Sequence, residues 1–282
     1  MRIYKAYAKC ILSGEHTVLR GGSAIVCSCK DFVLSLNVEN SENLDFVSGD
    51  FLIDKELEFL LRKSFVWLTN NTLEVPVFKY VLSGNVPIGK GLGFSAALCS
   101  VVAGFCCEHT NKLELKYSLA HELENCFHGK SSGLDVVGVN ASTVIKFESI
   151  DRFCSIENKI PFNVAVTFCD ISQIIKTKSY VDQVFNKLES NFKHFNKVDS
   201  NMKKASFLME KAICNGCLDS LIMSFKLSFE CYEAWGLVNE ADRSHINELY
   251  SKGAVAVRIT GAGGYGSYLS VWGAKNDSLN FL

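Results

Sequence analysis

The sequence predicts an α+β fold, and two observations support that prediction. Short runs rich in β-branched and aromatic residues are interspersed with longer segments in which apolar residues recur every three or four positions. These strands and helices do not follow the regular βαβ order of a doubly wound sheet. Of the 282 residues, 48% are hydrophobic and 21% charged, which is enough apolar material for a large core.

The elements follow in order along the chain. The N-terminal half is predicted to form strands at 3–12, 23–29, 32–38, 75–82 and 142–147, and helices at 54–68, 95–107 and 113–127. The C-terminal half is predicted to form strands at 162–168, 254–260 and 267–272, and helices at 179–195, 201–213, 218–232 and 241–251. A boundary around residues 151–161 predicts two domains, 1–155 and 156–282.

Charge and hydropathy exclude several classes of protein. The net charge of −1 gives no basic footprint of a nucleic-acid binder. The N-terminus lacks the apolar core of a signal peptide, and the apolar run 96–107 is shorter than the ~20 residues needed to cross a bilayer. We therefore expect a cytoplasmic protein with neither nucleic acid nor membrane as a partner.

The cysteines are predicted to be packing residues. The chain has 12 of them, and without a secretory signal they are expected to be reduced. Cys214 and Cys217 form a CxxC motif, but no second ligand pair at zinc spacing follows, so packing is predicted there too. Those within apolar runs are Cys10, Cys27, Cys29, Cys99, Cys106, Cys107 and Cys169.

A glycine-rich loop precedes the apolar helix at 95–107. Gly89, Gly91 and Gly93 alternate there, so backbone N–H groups can converge on an anion at the positive end of the helix dipole. The loop matches neither the Walker pattern nor the Rossmann pattern. By itself it is equally compatible with a phosphate site and with an ordinary flexible connection.

Other polar residues have two interpretations each. Glu124 borders an apolar helical stripe and either binds a cation or is solvated. Asp135 follows a Ser-Ser-Gly turn and is either catalytic or a helix N-cap. Lys9 interrupts an apolar strand and either points into a cleft or snorkels at an edge. The four glycines of loop 259–267 indicate either a close backbone approach or a wide hairpin.

Taken together, the motifs resemble those of the GHMP small-molecule kinases over nearly the whole chain. Within that superfamily, the segment from Lys9 to His16 is similar to the K-x-I-L-x-G-E-H of the mevalonate kinase family. The segment from Glu124 to Asp135 matches its E-x-x-x-H-G-x-x-S-G-x-D. Lys176-Thr177-Lys178 resembles its threonine-containing substrate segment.

The resemblance implies a two-domain fold, with a mixed or antiparallel sheet and helices followed by a ferredoxin-like α/β sandwich with extra helices. It implies ATP-dependent phosphorylation of mevalonate, with Ser95 and Glu124 holding Mg²⁺ and Asp135 and Lys9 as the catalytic pair. His16 and Thr177 would face the substrate and donate to its carboxylate, and a homodimer is possible. The residues implied to bind ATP are Gly89, Lys90, Gly91, Leu92, Gly93, Phe94 and Ser95.

The chain also departs from the family pattern. Phe94 stands where serine is usual, Ser131 replaces a proline, Ile175 stands in the place of an arginine, and Tyr265 replaces a glycine. These departures leave two alternatives open. One is a kinase for a sugar or another alcohol, because residues 14–17 also resemble galactokinase. The other is a ligand sensor without catalytic activity.

Overall fold

A computed structural model describes residues 1–69, 74–129, 131–157, 159–169, 177–264, 266–275 and 279–282, without the side chains of His128, Thr177 and Lys178. The strands are β1 Arg2–Ser13, β2 Ala24–Asn40, β3 Asp45–Val47, β4 Phe78–Gly84, β5 Val144–Ser149, β6 Arg152–Glu157, β7 Asn163–Phe168, β8 Ala256–Thr260, β9 Ser267–Trp272 and β10 Asn280–Phe281. The helices are α1 Phe51–Thr69, α2 Phe94–His109, α3 Lys116–His128, α4 Leu134–Val139, α5 Thr177–Ser190, α6 Phe192–Asn215, α7 Leu218–Ala234 and α8 Glu240–Ser251.

Contacts between residues divide the chain into two compact units, each assembled from separated segments. Unit 1 consists of Met1–Ala8, Cys29–Pro87 and Gly93–Asn140. Unit 2 consists of Lys9–Ser28, Ile88–Leu92 and Ala141–Leu282. Strands β1 and β2 therefore contribute residues to both units. The predicted division is a single cut after residue 155, whereas these units are built from separated segments. The two-domain boundary at residue 155 therefore stays a prediction.

Unit 1 packs helices around a small sheet. The later part of β2 pairs antiparallel with β4, and β3 lies parallel to β4. Helix α2 is buried from Ala96 to Cys107, as its apolar composition on every face requires. It packs against α1, α3 and α4, and its Phe105 makes edge contacts with the rings of Phe65, Phe78 and Tyr80.

Unit 2 contains a four-stranded antiparallel sheet in the order β10-β7-β9-β8. Numbered from β7, this is the 4-1-3-2 order of a ferredoxin-like sheet. Helices α5 to α8 lie in the crossover between β7 and β8. The core of this unit gathers Met202, Tyr232, Trp235, Ile259 and Tyr268 from these helices and strands.

The α+β class is confirmed, and the differences from the predicted elements have local causes. Strand β2 is continuous, because Lys30 and Asp31 are exposed within it rather than in a turn. The break predicted at 196–200 lies at Asn191, whose side chain accepts from the His194 N–H at 3.2 Å and caps α6. The six-residue α4 and the largely exposed β6 were not predicted, because neither shows a clear period.

The cysteine prediction is confirmed in the apolar runs and wrong at the CxxC motif. All seven cysteines of the apolar runs are buried. Cys214 is exposed and Cys217 is half-buried, because they lie at the surface turn that joins α6 to α7. Within the described part of the chain, no helix has the length and apolarity needed to cross a membrane.

Candidate active site

The glycine loop connects β4 to α2 and adopts a conformation that favours glycine. Gly89, Gly91 and Gly93 have φ angles of 73°, 75° and 79°, in the left-handed region that only glycine adopts readily. Gly93 is the N-cap of α2, and its carbonyl accepts the N–H of Ala97 at 2.9 Å. The N–H groups of residues 94–96 have no acceptor within the helix, so this terminus, which carries Ser95, suits an anion.

The first part of the loop, Ile88–Leu92, belongs to unit 2 and is tied to it. Lys90 Nζ donates to the Cys169 carbonyl at 2.9 Å, and Ser267 Oγ donates to the Lys90 carbonyl at 2.6 Å. The Lys9 N–H donates to the carbonyl of the buried Leu92 at 2.9 Å. Hydrogen bonds to the carbonyls of Lys90 and Leu92 therefore hold the loop backbone in place. The Lys90 ammonium is bonded to the Cys169 carbonyl.

The second glycine loop, between β8 and β9, shows the close backbone approach that one interpretation of its sequence predicts. A Cβ on Gly264 would lie 2.0 Å from Tyr180 Oη. A Cβ on Gly261 would lie 3.3 Å from the Gly91 carbonyl oxygen. These glycines therefore bring the loop against protein neighbours. Tyr265 lies outside the described residues.

Glu124 is buried in α3 with only 1% of its surface exposed, which excludes the solvated alternative. Ser131 Oγ donates to Glu124 Oε2 at 2.6 Å. Burial raises the pKa of the Cys99 thiol well above its ordinary value, and the Glu124 charge raises it further. Cys99 lies on α2, four residues after Ser95.

Asp135 lies half-buried in the first turn of α4. The N-cap of this helix is Gly133, so the N-cap alternative for Asp135 is wrong. At the other end of α4, Asn140 Nδ2 donates to Ser100 Oγ in α2 at 2.9 Å, and its Oδ1 accepts from Lys116 Nζ in α3 at 2.9 Å. These bonds fix a short helix, which carries Asp135 within the same unit as Ser95 and Glu124.

Lys9 and His16 lie in unit 2, and both are buried. Burial of Lys9 excludes the snorkelling alternative, since its side chain does not reach solvent at a strand edge. Thr177 begins α5, but its side chain lies outside the described residues, as do Lys176 and Ile175.

The His16 ring has a defined protonation state. Its Nε2 lies 3.1 Å from the Ala262 carbonyl oxygen, and because a carbonyl only accepts, we assign the proton to Nε2. Burial lowers the pKa of His16 to about 4, so the ring is neutral at pH 7 and Nδ1 is an acceptor. The prediction that His16 faces the substrate stays a prediction; in this tautomer Nε2–H is bonded to Ala262, and Nδ1 is the ring atom that can accept a hydrogen bond.

A buried ion pair in unit 2 was not predicted. Arg258 Nη2 donates to Glu15 Oε1 at 2.6 Å, and both side chains are almost fully buried. Arg258 also donates to the Leu12 carbonyl, and Thr260 Oγ1 donates to the Ile11 carbonyl at 2.7 Å. These bonds tie the segment that leads to His16 to strand β8. Only the charge of Glu15 within a mostly apolar segment could have indicated a buried partner.

The donor set in unit 1 fits a magnesium ion better than zinc. Among the described residues, no three His, Cys, Asp or Glu side chains converge on one cation position. Zinc sites usually have at least three such ligands. Mg²⁺ is usually held by one or two carboxylates together with phosphate oxygens and water. Glu124, with the Ser95 hydroxyl on the facing helix, matches that pattern.

Comparisons with known proteins confirm the resemblance. Residues 59–142 match the family model of the GHMP kinases N terminal domain. A mevalonate kinase of Arabidopsis thaliana is 25% identical over 208 residues, covering 64% of this chain and 53% of the relative. The match thus spans about half the length of that curated relative.

Solved structures confirm the fold. The mevalonate kinase of L. major in complex with R-mevalonate has a TM-score of 0.78 and 17% identity, covering 98% of this chain and 88% of the other. The Methanococcus jannaschii mevalonate kinase has a TM-score of 0.75 and 18% identity over 96% and 90% of the two chains.

Other kinases share this fold as well. The Lactococcus lactis galactokinase in complex with galactose has a TM-score of 0.74 and 15% identity over 96% of this chain and 86% of the other. The Streptococcus pneumoniae phosphomevalonate kinase has a TM-score of 0.72 and 13% identity over 97% and 92%. Residues 59–142 therefore match the N-terminal domain model of the GHMP kinases, and the chain shares its α+β fold with these solved kinases.

Proposed function

We propose that this GHMP kinase homologue transfers the γ-phosphoryl group of ATP to the primary hydroxyl of mevalonate, giving 5-phosphomevalonate. One observation carries the proposal: unit 1 combines the glycine-capped N-terminus of α2, the buried carboxylate of Glu124 and the carboxylate of Asp135 on an anchored helix. Phosphoryl transfer depends mainly on positioning and charge neutralisation, and these three groups supply both.

Each group has a separate task in this reaction. The N–H groups of residues 89–95 would bind the phosphates of ATP, and Ser95 and Glu124 would hold Mg²⁺. The bound ion would neutralise negative charge on the phosphate oxygens. Asp135 would accept or orient the proton of the attacking hydroxyl. Lys9 is proposed as the cation that stabilises the developing alkoxide.

Mevalonate is proposed as the substrate for reasons of chemistry and resemblance. It carries a carboxylate and hydroxyl groups, and the neutral His16 can accept a hydrogen bond from a hydroxyl. Ile175 replaces the arginine of the family pattern, so Lys176 or Lys178 would have to meet the carboxylate. A lysine lacks the bidentate fork of arginine, so we expect weaker binding of mevalonate than an arginine would give.

Two alternative functions are tested by the same experiment. A sugar kinase is supported by the galactokinase-like residues 14–17 and by the shared fold. A sensor without catalytic activity is less consistent with the chain, because it retains Lys9, Glu124 and Asp135 together.

An assay that couples ADP release to NADH oxidation should be run with mevalonate, galactose and phosphomevalonate, and with the Asp135→Asn variant as the blank. We expect turnover of mevalonate and little of galactose. Turnover of galactose or phosphomevalonate, with none of mevalonate, would refute mevalonate as the substrate. The assignment of kinase activity would remain. Nucleotide binding without turnover of any acceptor would favour the sensor.

A further inference from the structure

The N–H, carbonyl and hydroxyl groups of Ser131 all contact side chains of helix α3. Its N–H donates to Asn125 Oδ1 at 2.8 Å, and its carbonyl oxygen lies 3.0 Å from His121 Nε2. Its hydroxyl donates to Glu124 Oε2 at 2.6 Å. The three partners are spaced i, i+3 and i+4 along α3, so they lie on one side of that helix.

The same hydroxyl also touches the start of α4. The Gly133 N–H donates to Ser131 Oγ at 3.1 Å. Because Oγ accepts from Gly133, its single proton is available for Glu124, and the bond has a defined direction. One hydroxyl thus joins the buried carboxylate to the N-cap of the helix that carries Asp135.

We infer that Ser131 is a positioning residue that holds the Glu124 carboxylate in the orientation required for binding a divalent cation beside the nucleotide phosphates. The inference rests on the proposed function, and it assigns a role to a residue that departs from the family pattern. A proline at this position has neither the hydroxyl nor the N–H that make these bonds.

The physical effect is one of orientation rather than charge. A carboxylate binds a cation only when one of its oxygens is directed toward the ion. A hydrogen bond to Oε2 restricts rotation of the carboxylate group and so fixes the direction of Oε1. A hydroxyl is neutral, so it orients Glu124 without cancelling its charge. Loss of such an outer partner typically weakens metal binding by 10–100-fold.

The test is the affinity for Mn²⁺, used as a probe for Mg²⁺, in the presence of a non-hydrolysable ATP analogue, measured by calorimetry. We expect Ser131→Ala to raise the Mn²⁺ dissociation constant by about tenfold, and Ser131→Thr to restore most of the affinity. Ser132→Ala is the matched control, because Ser132 Oγ accepts from the Leu134 N–H instead, at 3.2 Å. It should leave the Mn²⁺ affinity unchanged.

A second comparison separates positioning from a general loss of structure. On a Glu124→Ala background, Ser131→Ala should cause no further loss of Mn²⁺ affinity, because the carboxylate that it orients is gone. Equal losses on both backgrounds, or an unchanged affinity in Ser131→Ala, would overturn the inference. So would a wild-type protein that binds no Mn²⁺ with the nucleotide. Normal Mn²⁺ behaviour without phosphoryl transfer would instead refute only the proposed activity.

Discussion

Two buried glutamates, one in each unit, receive hydrogen bonds from different kinds of donor. Glu15 in unit 2 receives a guanidinium, with Arg258 Nη2 at 2.6 Å from its Oε1. Glu124 in unit 1 receives a neutral hydroxyl, with Ser131 Oγ at 2.6 Å from its Oε2. The partner of Glu15 is a cation 243 residues away along the chain, whereas the Ser131 hydroxyl that bonds to Glu124 is neutral and seven residues away.

The difference indicates what each carboxylate does. Arg258 also donates to the carbonyls of Leu12 and Ile259, which joins β1 to β8, whereas Glu15 Oε2 is buried without a hydrogen-bond partner among the described residues. Burial by itself would lower the pKa of Arg258, but Glu15 and the Tyr232 hydroxyl raise it above its ordinary value. This pair is a structural feature. The Ser131 hydroxyl carries no charge, so its bond to Glu124 does not itself neutralise the carboxylate.

The largest expected effect comes from breaking the pair in unit 2. Arg258→Met should lower the free energy of unfolding by about 3–5 kcal/mol, because it leaves Glu15 buried without its cation. Urea denaturation monitored by circular dichroism measures this loss.

The double variant Arg258→Met with Glu15→Gln is the control for that experiment. Removing both charges should recover much of the stability, since the uncompensated carboxylate is the main cost. A loss below about 1 kcal/mol in the single variant would mean that water or another partner compensates Glu15, and the structural assignment would fail.

The next effect concerns chemistry in unit 1. Asp135→Asn should lower kcat at least ~100-fold while leaving the affinity for ATP nearly unchanged, because it removes the group that accepts or orients the hydroxyl proton. Steady-state kinetics and nucleotide titration measure the two quantities. Turnover near that of the wild type would remove Asp135 from the mechanism. Its unfolding curve should match the wild type, in contrast to that of Arg258→Met.

A smaller expected effect in unit 2 is the pH dependence of the unfolding free energy that His16 causes. The pKa of His16 is about 4 in the folded protein, against an ordinary value of 6.5. Between these values the unfolded chain binds more protons, so this contribution to stability is complete above pH 6.5 and falls as the pH drops toward 4. From pH 7 to pH 5 the loss should be about 2 kcal/mol.

The variant His16→Asn provides the reference for that measurement. Asparagine is among the residues that best tolerate a positive φ, which is 60° at residue 16, and it does not titrate. The pH dependence of its unfolding free energy should be shallower than that of the wild type over the same interval. Parallel curves would show that His16 is accessible to protons in the folded state, contrary to its burial.

The sequence predicts more of unit 1's candidate site than of the ion pair in unit 2, for a physical reason. Glu124 and Asp135 lie within one continuous segment that resembles a family motif, and the burial of Glu124 agrees with one of the two interpretations offered for it, while the roles of both residues stay predictions. Glu15 and Arg258 are 243 residues apart, and no periodicity relates them.

The prediction of the fold has a similar limit. Long apolar helices such as α2 are evident from composition, whereas the continuity of β2 through Lys30 and Asp31 depends on pairing with strands far along the chain. The bond from Ser131 to Glu124 also escapes prediction. A Ser-Ser pair after a glycine gives no indication of which hydroxyl turns toward the helix.

The smallest expected effect tests the unit 1 carboxylate directly. Glu124→Gln keeps the shape of the side chain and an oxygen for Ser131 but removes the charge, so the Mg²⁺ concentration for half-maximal activity should rise by roughly tenfold, which corresponds to about 1.4 kcal/mol. Ser95→Ala removes a neutral ligand and should raise the Mg²⁺ concentration for half-maximal activity about threefold. Neither variant should shift the urea midpoint as Arg258→Met does. A structure with nucleotide and Mg²⁺ that places Glu124 far from the ion would refute its assignment as a ligand. Its carboxylate would then have a structural role, like that of Glu15.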